Sequence, residues 1–463
     1  MKNNALQFNA AEKKAVFGLG SIFALRMLGL FMIVPVFAVY GEDYQHATPF
    51  LIGLAIGIYG LSQAIFQIPM SVMADKYPRK PMIVAGLLLF ALGGVICALA
   101  SDIYTVILGR FVAGSGAVSA VVMALLADVT TEQNRTKAMA TMGLTIAVSV
   151  MIAFGLGPML TKLININGLF WLTSILALLA MSMLLIVPNP KRMLKHNLNS
   201  HSFSQQLAQI LTMPNVNRLH LAIFSLHLTM TAMFTLLPKQ FMHVLNLSVA
   251  QQGYVYLPLL LLGFIIAVPL IIIAEKKRKM RQVFLSSLLL LVISLAMLAY
   301  FGQTKVGLIL GLALYFIGFN SLEATIPSWI SKQAPVANKA TVMGINSSCQ
   351  FLGAFVGGAL GGVLLTEPVA FAWVVLAGVA LVSFGLIMPI VSPPYLTSFT
   401  VTLPKQNSQQ FSTNLLKIEG IDEVVVMEKE GIAYLKLDKN QMTDKKQQQL
   451  TEILGKPLNL NHR

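Results

Sequence analysis

Charged residues are scarce in this sequence. They make up 11% of the 463 residues, whereas hydrophobic residues make up 56%, and soluble domains usually contain about 25% charged residues. The mean hydropathy of +0.74 points the same way. This composition excludes an ordinary soluble globular protein and predicts an integral membrane protein.

Cysteine is rarer still, with Cys97 and Cys349 as the only two. Both lie within apolar segments, so the sequence excludes a disulfide framework and a CxxC metal pair. The G-x-x-x-x-G-K-[ST] loop of ATP-driven pumps, the H-E-x-x-H zinc motif and a serine nucleophile elbow are also missing. We therefore expect no bound metal, no organic cofactor and no enzymatic activity.

Long apolar windows are abundant. Each is long enough to cross a hydrocarbon core of about 30 Å. Their centres are Phe31, Tyr59, Leu89, Ala117, Val150, Ala177, His227, Leu261, Leu290, Phe316, Phe351 and Val379. They predict an all-α membrane protein with twelve spans.

A repeated pattern divides these spans into two bundles of six helices. Residues 68–80 and 268–280 are both apolar runs that contain a proline, reach an alanine and an acid, and end in a cluster of bases. We place the N-terminal bundle in residues 1–188, a cytoplasmic linker in residues 189–214 and the C-terminal bundle in residues 215–392.

Basic residues outnumber acidic ones by 33 to 18, which gives a net charge of +15. They concentrate on one set of alternating loops, and Lys162, Lys239 and Lys305 lie on the other set. Because cytoplasmic loops carry the excess of Lys and Arg, both termini are expected in the cytoplasm. The bases face anionic lipid head groups, so the charge does not indicate nucleic-acid binding.

Residues 396–463 are soluble in character. Their alternating apolar positions and turn signals predict strands at 399–403, 424–427 and 433–437, helices at 409–418 and 443–454, and an optional last strand at 458–460. This βαββα(β) order predicts a small cytoplasmic ferredoxin-like domain.

Short motifs in the N-terminal half resemble those of one transporter family. The charged positions of the loop pattern G-x-x-x-D-[RK]-x-G-R-[RK] are filled by Asp75, Lys76, Arg79 and Lys80, with Ser71 and Pro78 in place of its glycines. Arg110 and Gly114 match R-x-x-x-G in span four, and Gly157 and Pro158 match the end of G-x-x-x-G-P in span five. Together they resemble the major facilitator superfamily, and within it the proton-coupled drug antiporters.

The resemblance implies a conformational switch at the cytoplasmic boundary. Its members here are Asp75, Lys76, Arg79, Lys80 and Asp128. The family's acid, at Asp75, is thought to sit at the N-terminus of span eleven, and Asp128 is placed to pair with Arg79. The alternative is that these charges are solvated and only determine topology.

Small residues in spans five and eleven form a second implied feature. The expected helix-packing positions are Gly157, Pro158, Gly353, Gly357 and Gly361. Glycines allow close helix approach, so these residues are expected either to form a deformable seam between the halves or to serve ordinary packing.

Ionisable residues inside a membrane are costly and indicate function. The proton-coupling candidates are Glu323, His227, Arg110 and Arg26, of which Glu323 is the deepest carboxylate. Glu323 can instead form a structural pair with Lys332 or Lys339, and His227 can be a hydrogen-bonded core histidine. Either arginine can tune a proton site or bind a substrate acid, and Arg110 can bond the carbonyls of broken helices.

Polar and adaptable apolar residues in the spans predict a substrate cavity. The candidates are Tyr59, Gln63, Gln67, Met123, Met230, Phe234, Tyr315, Asn320, Asn346 and Gln350. The resulting hypothesis is a monomeric secondary transporter that expels small amphipathic or drug-like molecules, with protons as the coupling ion. Its expected partners are the lipid bilayer and the substrate, with a regulatory contact through the tail. The alternative is a membrane sensor that signals through the C-terminal domain without net transport.

Overall fold

The computed structural model describes residues 8–189, 203–335, 339–393, 395, 397–403, 408–427, 431–438 and 441–455. Within this part, 11 helices are long and apolar enough to cross a membrane. One of them, Lys137–Met183, has 47 residues, about 70 Å at 1.5 Å per residue and twice the core thickness. Asn165 breaks it with φ 50°, so its two arms supply two spans and the total agrees with the sequence prediction.

The N-terminal half contains seven helices for six spans. They are α1 (Ala10–Phe31), α2 (Val34–Tyr40), α3 (Pro49–Lys76), α4 (Arg79–Ala98), α5 (Ile103–Ser115), α6 (Ser119–Val129) and α7 (Glu132–Met183). Span one consists of α1 and α2, which meet near Pro35, where proline removes a backbone hydrogen bond. Span four consists of α5 and α6, which are separated at Gly116. A Cβ on Gly116 would lie 2.2 Å from the carbonyl oxygen of Gly86, so the close approach of α4 requires glycine there.

The C-terminal half begins after a short helix in the linker. The helices are α8 (Phe203–Leu211), α9 (Pro214–Val244), α10 (Gly253–Lys276), α11 (Met280–Phe301), α12 (Lys305–Gln333), α13 (Lys339–Leu364) and α14 (Val369–Ile387). Of these, α9 is the most enclosed, with 89% of its apolar window buried. Because α9 is surrounded by protein, polar side chains on it meet other helices rather than lipid.

The chain divides into two compact units. Unit 1 comprises Met1–Pro327 and Ala340–Ile390, and unit 2 comprises Ser328–Lys339 and Val391–Arg463. Both membrane halves therefore belong to unit 1, while the last turns of α12 group with the tail.

In unit 1 the two halves meet at one end of the bundle. We call the end with Arg79 and Lys80 the basic end, and the end with Glu42 and Lys239 the opposite end. Glu42 and Lys239 form an ion pair across the halves. Closer to the middle, the rings of Phe154 on α7 and Phe234 on α9 stack with centroids 4.2 Å apart. These contacts close the opposite end.

In unit 2 the tail forms a three-stranded sheet and two helices. They are β1 (Thr397–Thr402), α15 (Ser408–Leu416), β2 (Ile421–Met427), β3 (Ile432–Leu437) and α16 (Asp444–Leu454), in the predicted order. The sheet is antiparallel with the order β1-β3-β2. Phe411, Leu415, Leu435 and Leu450 are buried in one apolar core. The strand predicted at 458–460 lies outside the described residues.

Candidate functional site

Two ionisable residues from different helices meet inside unit 1. Nε2 of His227 on α9 lies 3.6 Å from Oε2 of Glu323 on α12. Gln350 on α13 bridges them, because its Nε2 lies 2.8 Å from His227 Nε2 and donates a 3.2 Å hydrogen bond to Glu323 Oε1. The first and second proton-coupling candidates thus form one cluster with a residue that the sequence placed in the cavity.

Hydrogen bonds indicate which ring nitrogen of His227 carries the proton. Nδ1 lies 3.2 Å from the carbonyl oxygen of Ile223, which can only accept, so Nδ1 donates. Nε2 is then free to accept from the Gln350 amide. In this network His227 donates through Nδ1 and accepts from Gln350 through Nε2.

One carboxylate oxygen in the cluster is left without a hydrogen bond. Oε2 of Glu323 is buried and has no hydrogen-bond partner in the described part of the chain, although 38% of the Glu323 side chain is exposed. A proton on either His227 Nε2 or Glu323 would fill this gap. Glu323 pairs with His227 rather than with Lys332, and the side chain of Lys339 lies outside the described residues.

Arg110 lies elsewhere, in the N-terminal half. Its Nε and Nη2 donate 3.2 Å hydrogen bonds to the carbonyl oxygens of Ala55 and Ile56 on α3, and its guanidinium carbon lies 5.3 Å from the Tyr59 ring centroid. Arg110 therefore bonds backbone carbonyl oxygens, as one of the alternatives allowed, but they belong to an unbroken part of α3. The structure does not bring Arg110 into the Glu323 cluster.

Arg26 on α1 has a separate set of partners. Its Nη1 donates to Ser119 Oγ at 2.7 Å, and its Nη2 donates to Tyr59 Oη and Gln63 Oε1, each at 2.8 Å. Gln63 Nε2 in turn lies 3.4 Å from Gln67 Oε1. Tyr59, Gln63 and Gln67, which the sequence predicted as cavity residues, therefore form the polar environment of Arg26.

The remaining cavity candidates are mostly enclosed. Met230, Phe234, Tyr315 and Asn346 are buried, while Met123, Asn320 and Gln350 are partly exposed. Tyr315 Oη is 2.9 Å from Thr229 Oγ1, and Asn320 Nδ2 donates to the Phe316 carbonyl.

The predicted switch is only partly described. Arg79 Nε donates to Asp128 Oδ2 at 3.1 Å, in the pairing expected from the sequence. Lys80 Nζ donates instead to the carbonyl oxygen of Val187. The side chains of Asp75 and Lys76 lie outside the described residues.

A buried carboxylate near the basic end was missed by the sequence reasoning. Glu12 accepts hydrogen bonds from the backbone of Asn9, from the backbone and hydroxyl of Thr131, and from Asn134 Nδ2. The signal was available as a capping box, since Asn9 and Glu12 satisfy each other's backbone N–H at the start of α1. Glu12 links span one to the start of α7.

The predicted glycines take one of the two roles left open by the sequence, ordinary helix packing. Gly353 and Gly357 approach α9, where an added Cβ would lie 2.1 Å from the Phe224 oxygen or 2.2 Å from the Leu228 oxygen, and Gly361 also faces α9. These residues therefore pack helices within the C-terminal half and do not form the seam. Gly157 packs against Met32, in its own half; Pro158 lies within α7.

The seam between the halves uses neighbouring glycines. A Cβ on Gly53 of α3 would lie 2.3 Å from the Gly358 oxygen of α13, and one on Gly253 of α10 would lie 2.2 Å from the Gly155 oxygen of α7. Both contacts are backbone to backbone, so neither can be relieved by a side-chain rotation.

Asp102 organises a turn at the opposite end. It precedes α5 and accepts from the Thr105 hydroxyl at 2.7 Å and the Thr105 N–H at 2.9 Å. These bonds, the hydroxyl bond foremost, favour the charged carboxylate and lower the pKa of Asp102 below its usual value.

Comparisons with known proteins agree with the motifs. The chain is 41% identical over 443 residues to the inner membrane transport protein YajR of Escherichia coli K12, covering 94% of this chain and 96% of that protein. It is 24% identical to multidrug resistance protein 2 of Bacillus subtilis 168, covering 81% and 95% of the two chains.

The solved structures show the same fold. A bacterial homologue of the human lysosomal transporter Spinster, in an inward-facing and unoccupied conformation, matches with a TM-score of 0.70 at 14% identity, covering 82% of this chain and 97% of that one. Residues 19–358 match the family model described as Major Facilitator Superfamily, which confirms the resemblance inferred from the motifs. The chain belongs to the major facilitator superfamily.

Proposed function

We propose that this protein is a secondary active transporter that expels small amphipathic or drug-like molecules from the cytoplasm in exchange for protons. Family membership supports transport, and the multidrug resistance protein among its relatives supports the substrate class. The name of the Escherichia coli relative supports an inner-membrane location, and the distribution of bases supports cytoplasmic termini. The protein acts as a monomer without metal or organic cofactor.

The cluster of Glu323, His227 and Gln350 carries this proposal. With His227 neutral, its Nε2 accepts from Gln350. A proton arriving at Nε2 turns it into a donor aimed at the unpaired Oε2 of Glu323, and the Gln350 amide must then present its oxygen instead. Protonation therefore rearranges hydrogen bonds among α9, α12 and α13.

The packing of the halves supplies the conformational step. With the basic end in the cytoplasm, the contacts at the opposite end hold the outer side closed in this structure. Rearrangement around Gln350 on α13 acts on the helix that also contains Gly358, at the seam with Gly53. A proton bound at the cluster can thereby bias the equilibrium between inward and outward opening.

We propose that the tail is a ferredoxin-like domain that tunes transport. In unit 2, Lys436 on β3 bonds Glu423 on β2 at 2.8 Å and donates to the carbonyl oxygen of Ala334 at 3.3 Å. Ala334 follows the last residue of α12, where carbonyl groups have no intrahelical partner. Glu323 lies on the same helix, α12. A change in the tail can therefore reach the coupling cluster along this helix.

Flux through purified protein in liposomes tests the function. An inward proton gradient should drive expulsion of dye substrates, found by screening with a pH-sensitive reporter, and a protonophore should abolish it. Glu323→Gln keeps the shape but cannot titrate, so proton-driven efflux should fall at least about tenfold, while Glu367→Gln, at an exposed acid between α13 and α14, should retain it.

Efflux that survives the protonophore, or a Glu323→Gln protein with unchanged pH dependence, would contradict proton coupling through this cluster. A well-inserted protein that moves no compound in the screen would favour the sensor alternative.

A further inference from the structure

Arg26 is a cation enclosed within the membrane bundle. Its relative exposure is 1%. Its four acceptors are Ser119 Oγ, Tyr59 Oη, Gln63 Oε1 and, at 3.5 Å, the carbonyl oxygen of Gly116, and all of them are neutral. Among the described residues no carboxylate bonds it, and its Nε has no hydrogen-bond partner there. A buried charge without a counter-ion is costly and marks a functional site.

The guanidinium lies at the interruption of span four. It bonds Ser119, the first residue of α6, and α6 has 11 residues. Val118, which precedes α6, gives it no side-chain cap. The first N–H groups of a helix lack intrahelical acceptors and form the positive end of its dipole.

Two positive features therefore converge on one place. A cation beside a helix N-terminus is unfavourable by itself. An anion at the same place is stabilised by both the guanidinium and the helix N–H groups. Half-helices that present an N-terminus inside a membrane protein hold anionic substrate groups in other transporter folds. Arg110 differs, because its acceptors are carbonyl oxygens inside α3 and not groups at a helix N-terminus.

The first turn of α6 is also reachable. Ser119 and Ala120 are only partly buried, while Arg26 lies behind them. A ligand can approach the N–H groups and the hydroxyl group of this turn. The positive charge of Arg26, which is bonded to the Ser119 hydroxyl, adds to the attraction of this turn for an anion.

We propose that the transported molecules carry an anionic group, such as a carboxylate, sulfonate or phosphate, which binds at the accessible first turn of α6 beside Ser119, with Arg26 directly behind it. This inference rests on the proposed transport function and narrows its substrate class to amphipathic organic anions. The anion supplies the nearby counter-charge that Arg26 lacks.

Equilibrium binding of matched probes tests the site. Calorimetry on the purified full-length protein in neutral detergent compares phenyl phosphate, benzenesulfonate and benzoate with neutral benzyl alcohol and cationic benzyltrimethylammonium, and includes inorganic phosphate. At least one organic anion should bind about tenfold or more tightly than the neutral and cationic probes. Arg26→Gln should weaken that anion about tenfold, and Arg26→Lys, which keeps the charge but loses the forked donors, should weaken it less.

A matched control is Lys162→Gln, which removes one exposed positive charge elsewhere and should change nothing. If Arg26→Gln does not fold, Ser119→Ala makes the same test, with an expected loss of about threefold for the anions alone. Equal affinity for anionic and neutral probes, no binding of any probe, or full anion binding in Arg26→Gln would overturn the proposal.

Inorganic phosphate that binds as tightly as phenyl phosphate would assign the site to an inorganic ion and overturn the substrate reading. No proton gradient is present in this measurement. A failure of proton exchange and a failure of anion recognition are therefore distinguishable.

Discussion

Replacing Gly53 by alanine tests how the two halves close. An added Cβ would lie 2.3 Å from the Gly358 oxygen, and 2.5 and 2.6 Å from Cα and N of Gly362. Ordinary contacts of a methyl group begin near 3.5 Å. All three obstacles are backbone atoms, so α3 and α13 must separate by about 1 Å at this end of the bundle.

The expected cost follows from overpacking, which is about 1–3 kcal/mol for an added methylene in a packed interior. The cost applies only in the state whose opposite end is closed, because the two helices part when that end opens. Gly53→Ala should therefore shift the equilibrium toward the open state by about 5- to 150-fold.

Spin-label distances measure this shift. Labels at the exposed positions Ser101 and Gln303, one in each half at the opposite end, are introduced after Cys97 and Cys349 have been replaced by alanine. Gly53→Ala should enlarge the long-distance population. Gly378→Ala is the control, since nothing lies within 4 Å of its added Cβ. Distance distributions that are identical in the two variants would refute the argument that this glycine contact determines closure.

Three further predictions concern other parts of the chain. Glu12→Gln should lower the free energy of unfolding by about 2–4 kcal/mol and depress Tm in detergent, because an amide nitrogen would face hydrogen-bond donors; an unchanged Tm would contradict this. Because the pKa of Asp102 is lowered in the folded protein, its carboxylate stabilises the fold above pH 3.8, and this stabilisation is lost as the pH falls through the folded pKa. Asp102→Asn should therefore reduce Tm at neutral pH but not in strong acid. A chain ending at Ser392 should still insert and bind probes with an altered flux rate; loss of all flux would place the tail within the transport mechanism.

The positions of the spans were predictable because they depend on local sequence. A window of about 20 apolar residues crosses a membrane whatever its neighbours are. The break near Gly116 was not predicted, although Gly114, Ser115 and Gly116 interrupt span four with small residues. Its cause is tertiary, since α4 approaches too closely for any side chain at Gly116.

The site was predictable one residue at a time and not as an assembly. Glu323 and His227 each stood out because ionisable groups are costly in a membrane. Their meeting through Gln350 depends on how α9, α12 and α13 pack, which residue spacing within one helix does not determine. For this reason Gln350 was expected in a cavity and is found between the two ionisable groups.

The glycines of span eleven show the same limit from another direction. Gly353 and Gly357 lie on one face, and Gly358 and Gly362 lie on the adjacent face of the same helix. The spacing of the glycines identifies both rows but does not determine which row contacts the other half of the protein. Only the tertiary packing distinguishes the row within a bundle from the seam.

The buried charges of unit 1 are divided between the halves. Arg26 lies in the N-terminal half, and Glu323 with His227 lies in the C-terminal half. In the proposed cycle, proton and anion share no side chain, so they influence each other through the relative position of the halves. Glu323→Gln should therefore abolish the pH dependence of probe affinity while preserving the preference for anionic over neutral probes. Arg26→Gln should abolish that preference while proton uptake keeps its pH dependence. If either variant, while still folded, lost both the pH dependence and the preference for anionic probes, proton and anion would have to compete for one site. The assignment of proton and anion to different halves would then be wrong.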